Sequence, residues 1–421
     1  MFKFLHAADL HLDSPLKGLE RYDGAPVDEI RGATRRALEN LVRTAIEREA
    51  DFVVVAGDVY DGDWRDHHTG LFFVAEMCKL RDAGIPVYLI AGNHDAANRM
   101  TKTLRLPEET VHRFASKKPH TLHVEHCGVS IHGQSFATGA VTENLACSYP
   151  PAVPGNFNLG LLHTCATGDD GHECYAPCSL DDLRGKQYDY WALGHIHQRR
   201  QLLADEQIHF SGNVQGRHIR ETGAKGCLLV TVDDSGRAAV EFEPLDVLRW
   251  ERCELDASLC ESGYDVLDRA SESLGRLLAA GEGRPLAVRI EVLGACPAHE
   301  KLAAEPQRWL NEIRSLARDV GQGSLWIEKV RFQTSLPRAL DAGALEDGPL
   351  GELFHYIAEL RNDAAATSKL ADELADLWRK LPAEFKEGDD ALRLDDAATF
   401  GRLLDQIQPL LVSRLFERAA P

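Results

Sequence analysis

A chain of 421 residues is too long for one small core and implies two or three domains. Its make-up, 44% hydrophobic and 27% charged, excludes a fibrous or disordered protein, and no apolar run approaches the ~20 residues that a membrane helix needs. The net charge of −19 argues against a nucleic-acid partner held by broad positive fields, although carboxylates that ligate cations enter such a sum while their ions do not. Met1-Phe2-Lys3-Phe4-Leu5-His6 runs straight into a motif with no signal-peptide pattern, so a cytoplasmic location is expected. The ten cysteines are scattered, as expected of reduced, mostly buried thiols. Cys165, His172, Cys174 and Cys178 are the one cluster with any zinc-like spacing, and without a matching second pair it is a weak one.

Taken in order, residues 2–9 read as a strand that ends at Asp9. Helical spacing of Ile30, Leu38, Leu41, Val42, Ala45 and Ile46 predicts a helix over 27–49. Residues 52–56 are a buried strand closed by Gly57-Asp58, 69–82 a helix stopped by Gly84, and 87–90 a strand leading into Gly92-Asn93-His94-Asp95. Strand–helix–strand–helix–strand is the signature of a parallel sheet. Residues 121–125 and 129–132 form a predicted hairpin around Cys127-Gly128, and 159–163 a strand ending at His163. A short helix is expected at 180–184. The strand 188–193 ends in Gly194-His195-Ile196-His197, and further strands are expected at 208–211, 227–232 and 239–242. Residues 1–245 therefore read as one domain with two packed sheets. From 246 to 337 a β-α-β-α-β order describes a small α+β domain. Residues 338–421 are helical and acidic, with ten Lys and Arg against seventeen Asp and Glu; helices are expected at 350–360, 370–381 and 400–416.

The strand ends carry the chemistry. Asp9, His11, Asp58, Asn93, His94, His163, His195 and His197 each follow an apolar run, which is where open α/β sheets place their sites. His11 and His197 stand two residues beyond Asp9 and His195, so on an extended chain each pair points to one side. A mixed oxygen and imidazole set suits manganese, zinc or iron better than calcium or magnesium. Asp58, with two carboxylate oxygens, is the natural bridge between two cations ~3.5–4 Å apart. His94, oriented by Asp95, is placed to protonate a leaving oxygen. One such strand end is ordinarily a satisfied turn; five together are not.

Asp9-x-His11, Gly57-Asp58, Gly92-Asn93-His94-Asp95, His163 and Gly194-His195-x-His197 resemble, complete and in order, the motifs of calcineurin-like metallophosphoesterases. Gly-Asn-His-Asp, the two-domain layout and Phe210-Ser211-Gly212-Asn213-Val214-Gln215-Gly216-Arg217 are similar to the SbcD-type DNA repair exonucleases. The resemblance implies a four-layer α-β-β-α sandwich with an α+β cap domain that positions DNA and a helical C-terminal tail. It implies two divalent ions, most often Mn²⁺, one on Asp9, His11, Asp58 and His197 and the other on Asp58, Asn93, His163 and His195. It also implies a homodimer and an SbcC-type coiled-coil ATPase partner docking near the acidic tail. Arg199, Arg217 and His218 are the expected substrate contacts near the ions, and Asp61 and Asp63 are placed either to order the site or to solvate its loop. The competing readings are a small-molecule phosphodiesterase or phosphatase of the same fold and a non-catalytic scaffold subunit.

Overall fold

Runs of buried β-branched and aromatic residues build two six-stranded sheets in the computed structural model of the chain. It describes residues 1–14, 27–61, 67–97, 105–166, 174–337 and 349–363, with isolated positions from 369 to 404. In the first sheet β1 (Phe2–Ala7), β2 (Phe52–Val55), β3 (Val87–Leu89) and β4 (Val111–Arg113) run parallel in that order. The second holds β5 (His120–Val124), β6 (Val129–Gly133), β7 (Phe157–His163), β8 (Tyr190–Gly194), β9 (Arg200–Gln201) and β10 (Ile208–Phe210), in the order β5-β6-β7-β8-β10-β9. Its four inner strands are parallel, and β5 and β9 pair antiparallel at the edges. Strands β11 (Gly226–Val232) and β12 (Ala238–Pro244) complete the first sheet, antiparallel beside β1.

Alternation along the strands sets the layers, because successive side chains face opposite ways. Phe4, Phe52, Val54 and Tyr88 of the first sheet meet Ile131, Leu159, Leu161, Tyr190 and Ala192 of the second in one core. The other face of the first sheet, Leu5, Val53, Val55 and Leu89, lies under α2 (Ala33–Glu47) and α3 (His67–Asp82) through Leu38, Leu41, Phe73 and Met77. The outer face of the second sheet is covered more thinly, by a 3-10 turn at Ala146–Ser148 and the short helix α5 (Leu180–Arg184). The layers are thus helix, sheet, sheet and a slight helical cover. The helix predicted over 27–49 breaks at Gly32 into α1 (Val27–Arg31) and α2. Strands β4 and β9 were not predicted, being too short to show a period. The short helix α4 (Asn93–Ala97) was missed for the same reason, and it begins on a motif residue.

By contact the chain divides into two compact units: Met1–Arg252 with Leu278–Val288 and Gly323–Glu328, and Cys253–Leu277, Arg289–Gln322 and the residues from Lys329. Strands β13 (Arg249–Asp256), β14 (Leu286–Ala295) and β15 (Leu325–Ser335) form a third sheet. Between them in sequence lie α6 (Gly263–Ala280), α7 (His299–Ala304) and α8 (Pro306–Gly321). Val266, Ala270 and Leu274 on α6, and Trp309, Ile313 and Ala317 on α8, recur every four residues and are buried. A further helix, α9 (Pro349–Asn362), coincides with the one predicted at 350–360; within those predicted at 370–381 and 400–416 only isolated positions are described. Among the described residues no helix is long and apolar enough to cross a membrane.

The cysteines depart from expectation. Cys165 and Cys174 are paired as a disulfide, so the chain does not carry ten reduced thiols. Cys178 is buried with its sulfur 3.4 Å from Thr164 Oγ1, and His172 lies outside the described residues.

The inter-sheet core holds a polar pair with a pH consequence. His6, fully buried on β1, lies 3.2 Å from the Leu193 carbonyl and 3.1 Å from the Tyr190 hydroxyl. The carbonyl can only accept, so Nε2 carries the proton and Nδ1 accepts from Tyr190. Burial holds His6 down at about 3 and His209 at about 4. Each folded-state pKa lies below the unfolded value near 6.5, so as the pH falls the unfolded chain takes up protons that the folded chain refuses. Stability is therefore whole above pH 6.5 and is lost towards pH 4 and 3, at up to about 1.4 kcal/mol per pH unit for each group. Urea unfolding at pH 7 and pH 5 is expected to show this drop, and His6→Gln to reduce it. An equal drop in that variant would assign the loss to other groups.

Candidate metal centre

The strands of both sheets end at one place. Asp9, Asp58 and His195, each one to three residues past a strand, and His11 have left-handed backbones, with φ of 52°, 53°, 98° and 42°. Such φ values are costly for residues other than glycine and cluster where function over-determines the chain. Here they turn each side chain back over its strand end. Glycines allow the closeness this needs: a Cβ on Gly92 would stand 2.3 Å from Asp58 Oδ1, and one on Gly194 2.0 Å from the Ala56 carbonyl oxygen.

Three groups of ligand atoms gather there, each within 4.8 Å of one another: Asp9, His11 and His197; His11, Asp58 and His94; Asp9, Asp58 and His163. Asp58 lies between the imidazoles, with Oδ2 3.4 Å from His163 Nε2 and 4.0 Å from His11 Nε2. Its Oδ1 accepts the His94 backbone N–H at 3.0 Å. Asn93 Oδ1 is 3.0 Å from His163 Nε2, and His11 Nε2 is 3.1 Å from His197 Nε2. Both Asp9 oxygens accept the His195 backbone N–H. The His195 ring stacks edge-on at 5.2 Å from that of His163 and 5.6 Å from that of Tyr175. All eight strand-end residues singled out from the sequence are thus at this centre.

Outer partners fix which nitrogen each imidazole presents. His163 Nδ1 donates to the Ala56 carbonyl at 2.8 Å, His197 Nδ1 to Glu221 Oε1 at 2.7 Å, and His94 Nδ1 to Asp61 Oδ1 at 2.9 Å. In His163 and His197 Nε2 is then turned inward, towards Asn93 Oδ1 and His11 Nε2, the arrangement by which a neighbouring acceptor orients a metal-ligating histidine. Glu221 was missed in the sequence, where an isolated Glu beyond the second sheet carries no signal. For Asp61 the sequence offers two roles, ordering the site or solvating its loop.

The orienting role expected of Asp95 falls instead to Asp61. Asp95 is fully buried and accepts the backbone N–H groups of Val59, Tyr60 and Gly92 at 3.0–3.2 Å. His94 and Asp95 are consecutive on α4, so their side chains diverge by about 100° around the helix. Asp95 therefore holds the Gly57-Asp58 loop against the Gly92 turn rather than meeting the imidazole.

Charge at the centre is arranged around Asp58. Burial alone would raise its carboxyl, but His163, His11 and His94 beside it hold it well below the usual carboxylate range. Burial works against His163 as well, yet Asp58 and Asp9 lift it to about 9. A positive charge is thus favoured between Asp58 and His163. His11, pushed down to about 4 chiefly by burial, is neutral, with Nδ1 3.7 Å from Asp61 Oδ1. His94 is raised despite its burial, by Asp61 and then Asp58.

The expected substrate contacts are placed differently from one another. Arg217 is largely buried, with its guanidinium 2.9 Å from Glu221 and 3.3 Å from Asp61, so it braces the partners of His197 and His94. Arg199 is exposed and lies over the Phe242 ring at 3.7 Å. His218 is exposed, 3.7 Å from Glu221. Asp63 lies outside the described residues.

Fit to divalent cations follows from the donor atoms. Carboxylate, amide and imidazole donors 3.0–3.4 Å apart have the edge length of a shell whose bonds are ~2.1 Å, and the favoured charge at Asp58 and His163 is positive. A buried set of this kind at the carboxyl ends of strands in two packed sheets defines a metal-dependent hydrolase.

Residues 2–199 match the calcineurin-like phosphoesterases, and residues 250–335 match the middle domain of the metallophosphoesterase YhaO. The chain belongs to the calcineurin-like metallophosphoesterase family. It is 34% identical over 314 residues to the uncharacterized metallophosphoesterase YhaO of Bacillus subtilis, covering 74% of this chain and 76% of that protein. Two DNA double-strand break repair proteins Mre11 are more distant. The one from Sulfurisphaera tokodaii is 27% identical over 209 residues, 48% of this chain and 51% of its own. The one from Methanopyrus kandleri is 24% identical over 356 residues, 76% of this chain and 72% of its own.

Proposed function

We propose that this chain is a two-metal phosphodiesterase acting on DNA, an exonuclease subunit of a repair assembly. The observation that carries the reading is the His94 imidazole, held at Nδ1 by Asp61 and grouped with Asp58 and His11 at the metal centre. Asp9, His11, Asp58 and His197 hold one ion, and Asp58, Asn93, His163 and His195 the other, with Mn²⁺ favoured by the mixed donors. Bound there, two divalent ions polarise a phosphoryl group and supply an attacking oxygen at neutral pH. The chain's own contribution is positioning and proton transfer. Asp58 accepts the His94 backbone N–H, Glu221 and Arg217 hold His197, and Asp61 keeps His94 protonated to meet the departing oxygen.

The DNA part of the reading is supported by likeness to the two Mre11 proteins, one of them over 356 residues that include much of the chain past the metal centre. On this reading residues 246–337 position the duplex, the acidic residues 338–421 dock a coiled-coil ATPase, and the chain works as a dimer. One observation favours a small phosphate ester instead: Arg217, the most central cation, is tied up by Glu221 and Asp61. Purified protein with Mn²⁺ is expected to degrade linear double-stranded DNA and to lose that activity on chelation. Hydrolysis of nucleotides and aryl phosphates with DNA left intact would establish the small-ester reading; failure on all of them would leave a scaffold.

A further inference from the structure

A second group of metal-competent side chains lies at the other pole of the sandwich. Asp51 immediately precedes β2, whose far end leads to Asp58; His126 and Cys127 form the 3-10 turn between β5 and β6. The ligand atoms of Asp51, His126 and Cys127 all lie within 4.8 Å of one another, with His126 Nε2 3.8 Å from Asp51 Oδ1. We propose that these three residues bind a zinc-class divalent cation that ties the first sheet to the second, independently of the catalytic ions.

The construction of the cluster supports this. Asp51 is held in place by the Lys3 backbone N–H, which donates to Oδ2 at 2.8 Å and leaves Oδ1 towards His126. Such an outer hydrogen bond is what orients a ligating carboxylate. Gly128, at φ 64°, closes the turn that brings His126 and Cys127 round. Cys127 packs against the core between the two sheets, whereas the His126 side chain is 58% exposed and free to close the remaining distance. Sulfur, nitrogen and oxygen donors together select zinc over magnesium, calcium or manganese, and three of them leave a fourth position for water.

The same three residue types also make cysteine nucleophiles, but this thiol is the opposite of activated. Burial, then the Asp51 carboxylate that its S–H meets, push Cys127 up to about 12. A divalent cation reverses that penalty. On binding, the S–H bond breaks, a zinc–sulfur bond forms and the proton passes to solvent. Thiolate and carboxylate then balance the two positive charges, with His126 neutral.

The test uses the full chain, stripped with chelator and titrated with Co²⁺, then Zn²⁺. A sulfur-to-cobalt charge-transfer absorption is expected in the near ultraviolet, with the final intensity of a single thiolate–cobalt bond per chain. It should vanish in Cys127→Ser and need at least tenfold more cobalt in His126→Gln. In both variants the phosphodiesterase activity of the manganese-loaded protein should stay at the parental level, and Zn²⁺ should raise the melting temperature of the parent more than theirs. No charge-transfer band, or a band that survives Cys127→Ser, overturns the proposal. Should Cys127→Ser fail to fold, His126→Gln decides: unchanged cobalt affinity there is also a refutation. The cobalt and melting readouts need no substrate, so failure here is separable from failure of the nuclease reading.

Discussion

His94→Ala is expected to lower phosphodiester hydrolysis by about 10²–10⁴-fold while Mn²⁺ binding stays at the parental level. His94 stands on a helix, α4, rather than at a strand end, and its ring is held by Asp61. The measurement is kcat for DNA alongside calorimetric Mn²⁺ titration. Parental turnover, or loss of bound metal, would remove His94 from proton transfer. The pH profile refines this. Asp61 raises the His94 pKa, so the protonated acid persists to higher pH. Asp61→Asn removes that support, and the alkaline limb of kcat/KM is expected to move to lower pH. A limb that stays in place would mean that Asp61 only supports the loop.

Asp58→Asn carries the other large effect. Asp58 belongs, like Asp9 and His11, to two of the three ligand groupings, and its carboxylate, 3.4 Å from His163 Nε2, is the first of the two acids that stabilise positive charge on His163. An amide keeps the shape and loses the charge, so one divalent ion at most should remain per chain. Hydrolysis should fall by about 10³-fold or more, equivalent to some 4 kcal/mol of transition-state stabilisation. Metal content after gel filtration, together with the Mn²⁺ isotherm, reads the first expectation. Two ions bound with parental affinity would show that Asp58 is not the bridge.

Most of the fold was legible because the first unit is built from runs long enough to carry a period. Phe52–Val55 and Phe157–His163 are buried along their whole length, and Leu38, Leu41, Val42 and Ala45 recur at helical spacing. The missed elements β4, β9 and α4 are short and carry no continuous apolar run to mark them. Cys165 and Cys174 were expected as separate thiols because a nine-residue separation says nothing about pairing until the chain folds back.

By itself the sequence determined the donors. Aspartate, asparagine and histidine placed one or two residues past apolar runs must emerge at strand ends, whichever strands neighbour one another, because strand length and side-chain type are local properties. Which donor serves which partner was decided only by the tertiary structure. Asp61 rather than Asp95 meets His94, because α4 turns adjacent side chains apart while the Gly57-Asp58 loop brings a distant carboxylate alongside. Glu221 holds His197, and Arg217 turns inward to brace them both, through a loop that returns from the second sheet. The cluster of Asp51, His126 and Cys127 likewise exists only because two sheets pack face to face, setting the start of β2 against the β5–β6 turn.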